Sequence, residues 1–209
     1  MRGAVAIVVL STAAVATAQP PAEVPPRYGV RVETVLYPQN TPRDAVATLV
    51  ALIERKKFAY ITANVIDPAM VDARVAQRAN GFIPAIEKQL DDLRARQRAR
   101  PAGVDPLDRV PDDARRFADL AREKAEAFAF NEVVQDVRSH LSEYPEHLTF
   151  FRKLAKDGDF TDAGAESVGT VKTDFVKKLL LKKAGTRWVI EDRKPEPNAD
   201  KPAEGEPKK

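Results

Sequence analysis

Apolar residues recur every three or four positions through most of residues 41–157, which is the spacing of amphipathic helices. The first helix is expected to begin at Thr41-Pro42, because Thr41 can cap it, Pro42 suits its first position and Asp44 completes a capping box. An apolar stripe follows: Val46, Leu49, Val50 and Ile53. A short second helix is expected over residues 58–66. A third helix is expected to begin at Asp67-Pro68, because Asp67 can cap it and Pro68 suits its first position.

The middle of the chain predicts further helices with interruptions. Gly81 breaks the pattern of the third helix, and a long helical region begins at Pro111. The apolar face of that region rotates near Asn131, which predicts a kink or break there. Pro145 opens another helix, and Gly158 is expected to stop it.

The apolar period changes from about 3.6 to 2 after residue 164, and this change predicts strands at residues 165–172, 175–183 and 186–193. A two-residue turn at Ala184-Gly185 pairs Leu181 with Trp188, although the turn shifts by one residue if Gly185 sits in a bulge. The fold class is therefore α+β, predominantly helical, with a C-terminal three-stranded antiparallel meander. Residues 38–193 are expected to form a single domain. Residues 19–37 would be a proline-rich lead and an extended arm or edge strand.

Both ends of the chain have compositions that set them apart from this domain. Residues 1–18 have the layout of a signal peptide, with Arg2, an apolar run and the small-x-small sequence Ala16-Thr17-Ala18. Cleavage is expected after Ala18, giving a secreted or periplasmic protein. No later apolar segment reaches the roughly 20 residues that a membrane-spanning helix needs. Residues 194–209 carry four prolines and mixed charge, which predicts a disordered tail.

The amino-acid composition excludes only a few classes of function. The 209 residues include no cysteine, so the core of an exported protein must hold without disulfides. Lysine and arginine total 34 against 31 acidic residues, a near balance that argues against nucleic acid as a partner. No glycine-rich phosphate loop, nucleophile elbow or zinc-binding helix signature occurs, so no cofactor and no catalytic residue is assigned.

Two groups of polar residues are candidate binding sites. His140, Glu143 and His147 would share one face of an unbroken helix and could hold a divalent metal. Pro145 lies between the histidines and would break that helix, which favours surface histidines at a helical corner. The arginine run over residues 94–100 is read either as a solvated helix end or as a contact for an anionic partner.

Aromatic side chains could form core or line a pocket. The pocket candidates are Phe58, Tyr60, Phe175 and Trp188. Aromatics at helical or strand spacing are more often core, and a cone-shaped fold would favour the pocket.

Three segments resemble the NTF2-like superfamily, the cone-shaped α+β fold that includes SnoaL-type proteins. They are TPRDA at residues 41–45, RKKF at residues 55–58, and the closing strand GTRWVI at residues 185–190. The resemblance covers residues 41–66 and 165–193. The helical residues 67–157 depart from the family pattern, which leaves a helical insertion or a different fold in the middle. Because many exported members are non-catalytic, the resemblance implies a binding role.

The sequence thus predicts an exported, non-catalytic binding or interaction module for a protein or a small apolar ligand. One alternative is a small enzyme with an aromatic-lined cone pocket. Another is a helical envelope-associated protein that binds anionic surfaces. Oligomeric state stays open, a dimer included.

Overall fold

Helices precede a single antiparallel sheet along the chain. The computed structural model describes residues 25–99, 109–172 and 176–191. The signal peptide, Phe175 and the tail at residues 194–209 lie outside these described residues. The described elements are α1 (Pro42–Glu54), α2 (Phe58–Tyr60) continuing into a π-helical turn (Ile61–Val65), α3 (Pro68–Ala99), α4 (Ala114–Glu143), α5 (Pro145–Asp157), β1 (Asp159–Ala163), β2 (Glu166–Lys172), β3 (Val176–Ala184) and β4 (Arg187–Ile190). The predicted α+β, mainly helical class is confirmed.

Local sequence sets the starts of α1 and α3 as predicted, whereas α4 begins at Ala114, three residues later than the predicted Pro111, with Asp113 as its cap. The Asp44 N–H donates to Thr41 Oγ1 at 3.1 Å, and the Thr41 N–H donates to Asp44 Oδ2 at 3.2 Å, which completes the capping box of α1. Pro68 is the first residue of α3, and Asp67 Oδ1 accepts from the Ala69 N–H at 3.0 Å. No helix in the described part of the chain is both long enough and apolar enough to cross a membrane.

The predicted interruption of α3 at Gly81 is wrong, because the helix continues through both Gly81 and Pro84. A continuous apolar stripe on α3 packs against α4 and includes Val71, Val75, Ala79, Ile86 and Leu90. Gly81 and Pro84 are exposed. Tertiary packing of the opposite face therefore outweighs the local penalty of about 1 kcal/mol for glycine and 3 kcal/mol for proline.

The predicted break near Asn131 is also wrong, because α4 runs unbroken from Ala114 to Glu143. Its buried face rotates because its partners change along its length. Fully buried Ala121, Ala125 and Ala129 face the α3 stripe, whereas Phe130 stacks on Tyr28 of the N-terminal arm with ring centroids 4.4 Å apart. A rotated stripe therefore reflects a change of neighbour rather than a break in the helix.

The meander has four strands in the order β1-β2-β3-β4, not the predicted three. The sequence analysis missed β1, whose residues are exposed apart from the half-buried Phe160. Such a strand shows almost no apolar alternation, so only its pairing with β2 identifies it. Gly164 has φ +68° at the β1–β2 turn, a conformation that glycine adopts readily.

The β3–β4 turn lies one residue later than predicted. Ala184 pairs with Arg187, so the two turn residues are Gly185 and Thr186, and Gly185 has φ +63°. Positive φ at the first central residue is typical of a type II′ hairpin turn. Trp188 therefore pairs with Lys183 rather than with Leu181. A shift of two residues in the partner leaves every side chain on its predicted face, because the side-chain period in a strand is two.

Trp188 lies in the core between the sheet and the helices, with 5% of its surface exposed. It packs in one cluster with Ala45 and Val46 of α1, Leu154 of α5, and Leu181 of β3. Helix α5 also approaches β2 closely, since a Cβ at Gly169 would lie 3.2 Å from the Leu154 side chain. The sheet is thus covered on this face by α1 and α5.

The outer edge of β4 is closed by two segments from earlier in the chain. The Trp188 N–H donates to the Gln39 carbonyl at 2.8 Å, and Gln39 Nε2 donates to the Trp188 carbonyl at 3.0 Å. Further along, the Asp67 N–H donates to the Ile190 carbonyl at 2.8 Å. These bonds satisfy the polar backbone groups that an edge strand would otherwise present.

The arm at residues 25–37 contains no strand. It opens with a tight turn in which Arg27 and Val30 exchange two backbone hydrogen bonds, of 3.1 and 2.8 Å. Arg27 Nη2 pairs with Asp72 Oδ1 at 2.5 Å, and the Tyr28 hydroxyl donates to the same oxygen at 2.7 Å. The arm is therefore anchored on α3.

Candidate ligand pocket

A pocket of about 530 Å³ opens where the sheet, the π-helical turn and four of the helices meet. Most of its lining side chains are apolar: Leu49, Ile61, Ile66, Met70, Val137, Leu141, Phe151, Leu179 and Ile190. Every element except α2, β1 and β2 contributes at least one lining residue. A pocket assembled from so many elements depends on the whole fold.

The π-helical turn sets the inner wall. Its backbone closes with an i to i−5 hydrogen bond, from the Ile66 N–H to the Ile61 carbonyl at 3.0 Å. Ile61 then faces the pocket from the turn, and Ile66 bridges to Ile190 of β4. The chain therefore passes directly from the helical wall to the strand wall of the pocket.

Four polar side chains also line the pocket, three of them exposed to solvent and one half-buried, and we call them the polar rim. These are Arg74 from α3, Asp136 and His140 from α4, and Glu191 after β4. Asp136 forms an ion pair with Arg78 on α3. The apolar lining side chains are buried or half-buried, so the interior is mainly apolar and the ionisable groups are the more exposed part of the lining.

A cluster of rings forms the corner between α4 and α5 beside this rim. The His140 ring centroid lies 5.0 Å from that of His147 and 5.4 Å from that of Tyr144. His147 in turn lies 6.4 Å from Phe151, which lines the pocket. Burial lowers the pKa of His147, and the neighbouring His140 lowers it further, while Glu146 opposes the shift.

His140 and His147, proposed as metal ligands, are neighbours, but Glu143 does not complete a metal-binding group with them. His140 and His147 lie on either side of the corner, α4 ends at Glu143, and α5 begins at Pro145. Within residues 25–99, 109–172 and 176–191, no group of three histidine, cysteine, aspartate or glutamate side chains is arranged to hold a metal ion. The proline separates the helices, as the sequence indicated.

The four aromatic residues proposed to line a pocket do not lie together around one site. Trp188 is part of the core between the sheet and α1, and Phe175 lies outside the described residues. Phe58 and Tyr60 line a second cleft of about 320 Å³, next to the N-terminal arm. The aromatic residue that does line the apolar pocket is Phe151 of α5, which is not one of these four predicted pocket residues.

Sequence reasoning singled out His140 only as a candidate metal ligand, and it missed the other polar residues of the rim. Arg74 and Asp136 are exposed residues on opposite helices, separated by more than 60 positions, and each looks like an ordinary solvated helix residue. Only the antiparallel packing of α3 on α4 brings them to one opening. Leu49 belonged to the predicted apolar stripe of the first helix, and such a stripe does not distinguish core residues from those of a pocket wall.

The arrangement is suited to binding, since it offers an apolar interior with polar groups at the mouth. Searches against protein-family models, curated proteins and solved structures found no significant match to this chain. The pocket and its surroundings are therefore the basis for inferring function.

Proposed function

We propose that the protein is an exported, non-catalytic module that binds a small, mainly apolar ligand in the pocket between the sheet and the helices. The observation that supports this proposal is the separation of the pocket into an apolar interior and a polar rim. Pockets for small molecules are typically about 300–1,000 Å³ and mostly apolar, with a few polar groups that orient the ligand. The volume of about 530 Å³ falls in that range.

A binding role is favoured over catalysis because of how the rim groups are engaged. Asp136 is paired with Arg78, and His140 lies against other rings rather than in a hydrogen-bonded relay. General acid–base catalysis needs a titratable group held by an orienting partner within hydrogen-bond reach of the substrate. The small enzyme stays the second candidate, since His140 is a titratable side chain at the pocket mouth.

The arginine run supports the envelope-surface alternative less well. Arg94 pairs with Asp91 and lies over the Phe117 ring at 4.4 Å, and Arg98 pairs with Asp112. Arg94 and Arg98 are therefore engaged within the α3–α4 hairpin, and of the three arginines of the run that the structure describes, Arg96 alone is without an acidic partner among the described residues.

Membership of the NTF2-like superfamily is part of the proposal. It is supported by a capped first helix that packs on the closing strand, and by a pocket between sheet and helices. On this view α3 and α4 form the helical insertion. An experimental structure whose sheet superposes on NTF2-like sheets would support the assignment, and a different strand order would contradict it.

The binding proposal can be tested with N-phenyl-1-naphthylamine, a small apolar dye whose fluorescence rises when it leaves water. Wild-type protein should bind it saturably. Leu141→Trp places a larger ring in the pocket wall and should weaken dye binding by tenfold or more, because the indole would occupy part of the volume of about 530 Å³ that the dye needs.

Leu93→Trp is the matched control, because Leu93 is a helix residue of α3 with 41% of its surface exposed and lies outside the pocket. It should leave dye affinity unchanged. Equal dye binding by both variants would refute the pocket proposal, provided that their circular dichroism melting curves show them folded. Turnover of an offered substrate that His140→Gln abolishes would favour the enzyme instead.

Export is proposed from the leader at residues 1–18. N-terminal sequencing of protein recovered from outside the cytoplasm should begin at Gln19. Mature, soluble protein that retains Met1 would contradict export.

A further inference from the structure

The second cleft, between the arm and the start of α2, shares no lining residue with the apolar pocket. It has a volume of about 320 Å³. We call it the basic cleft, and its polar and aromatic lining consists of Arg31, Glu33, Tyr37, Lys56, Lys57, Phe58 and Tyr60. The basic cleft is therefore a candidate site separate from the apolar pocket.

Positive charge in the basic cleft is not neutralised by the surrounding protein. Arg31, Lys56 and Lys57 line it, against the single lining carboxylate of Glu33. None of the three cations forms an ion pair with another described residue. Arg27, which also belongs to the arm, does form one, with Asp72 on α3. Unpaired cations around a concave surface attract anions, because low-dielectric walls focus their field.

Lys56 occupies its place in the cleft at a conformational cost. It has φ +56°, and the chain there closes α1 with bonds from the Lys56 N–H to the Ile53 carbonyl and from the Lys57 N–H to the Leu52 carbonyl. This is the pattern of a Schellman cap, in which glycine is the usual left-handed residue. A left-handed lysine costs about 1–2 kcal/mol, and strain of this kind tends to occur at functional sites.

The floor of the cleft is aromatic and carries a hydrogen-bond donor. The Tyr37 and Tyr60 rings lie 4.8 Å apart at 54°. The Tyr60 hydroxyl accepts from the Glu33 N–H at 3.0 Å, which leaves its own hydrogen without an acceptor among the described residues. Burial raises the pKa of Tyr60, so the hydroxyl stays protonated and able to donate at neutral pH.

We propose that the basic cleft binds a small organic anion in which a phosphate or carboxylate group is joined to a planar apolar ring. The anionic group would meet Lys56, Lys57 and Arg31, and the ring would lie on Tyr37 and Tyr60. Charge-assisted bonds from lysine and arginine are among the stronger hydrogen bonds, and offset or tilted ring contacts add to them. A concave cleft of this size fits a small molecule better than a flat anionic surface.

The experiment is isothermal titration calorimetry of the full chain with phenyl phosphate at low ionic strength. Wild-type protein should bind one equivalent saturably, and inorganic phosphate and phenol should each bind at least tenfold more weakly. The double variant Lys56→Gln/Lys57→Gln should weaken phenyl phosphate binding by about tenfold or more, since two charge-assisted contacts are lost.

The matched control is Lys88→Gln/Lys124→Gln, which removes the same charge from exposed positions on α3 and α4. It should change the affinity less than twofold. Equal weakening by both double variants would show general charge attraction and overturn the proposal. So would the absence of saturable binding, equal affinity for inorganic phosphate, or binding to phosphatidylglycerol vesicles without binding to phenyl phosphate.

Discussion

Replacing Gln39 should destabilise the protein far more than replacing an ordinary polar residue in a loop. Its side chain has 1% of its surface exposed and joins three segments. Nε2 donates to the Asn64 carbonyl at 3.1 Å and to the Trp188 carbonyl at 3.0 Å, and Oε1 accepts from Arg187 Nη1 at 3.3 Å. Gln39, which lies between the arm and α1, thereby links this part of the chain to the π-helical turn and to β4.

The magnitude follows from the acceptors that Gln39→Ala leaves behind. Two buried carbonyls, of Asn64 and Trp188, lose the donor Nε2. A buried polar group left without its partner costs about 1–3 kcal/mol, so the two together should cost about 2–6 kcal/mol. That is a large part of a typical unfolding free energy of about 5–15 kcal/mol.

Urea denaturation followed by circular dichroism at 222 nm measures this loss. Gln39→Leu keeps most of the side-chain volume but removes the donor, so it should cost about as much as Gln39→Ala. Gln89→Ala, at an exposed position of α3, is the control and should change stability by no more than about 0.5 kcal/mol. Full stability in Gln39→Leu would refute the reasoning, because packing rather than hydrogen bonding would then explain the role of Gln39.

Three further predictions follow from single residues. Trp188→Ala should cost about 3–5 kcal/mol, whereas Phe128→Ala, with 54% of that side chain exposed, should cost under about 1 kcal/mol; native tryptophan emission that already matches free tryptophan would contradict the burial of Trp188. Lys56→Gly should raise the free energy of unfolding by about 0.5–1 kcal/mol in a urea titration, because glycine tolerates positive φ, and an unchanged or lower value would contradict the strain argument. Burial and the charge of His140 lower the pKa of His147, so the folded state binds fewer protons there and stability should fall as the pH drops below about 6.5. The variant His147→Gln should lose less stability than wild type between pH 7.5 and 5, and an identical loss in both would contradict this assignment.

The starts of α1, α3 and α5 and the side-chain faces of the last two strands were predictable because they depend on neighbours in sequence. A capping box needs only Thr41 and Asp44, and the side-chain period of two places Trp188 and Ile190 on the same face of β4 whichever register the turn selects. The site was less predictable. Aromatic residues suggested a pocket, yet Trp188 became core, and the pocket wall came from ordinary apolar residues of several elements.

The sequence by itself determined the α+β class, the order of helices before strands and the faces that are buried, since helix and strand periods and caps are properties of short segments. Tertiary structure decided whether Gly81 would interrupt α3, whether the exposed segment Asp159–Ala163 would pair as a strand, and where Gln39 would close the edge of β4. It also decided that Arg74 and Asp136 share one pocket mouth. Each of these outcomes depends on contacts between residues far apart in the chain, whose free energy outweighs or supplements the local preference.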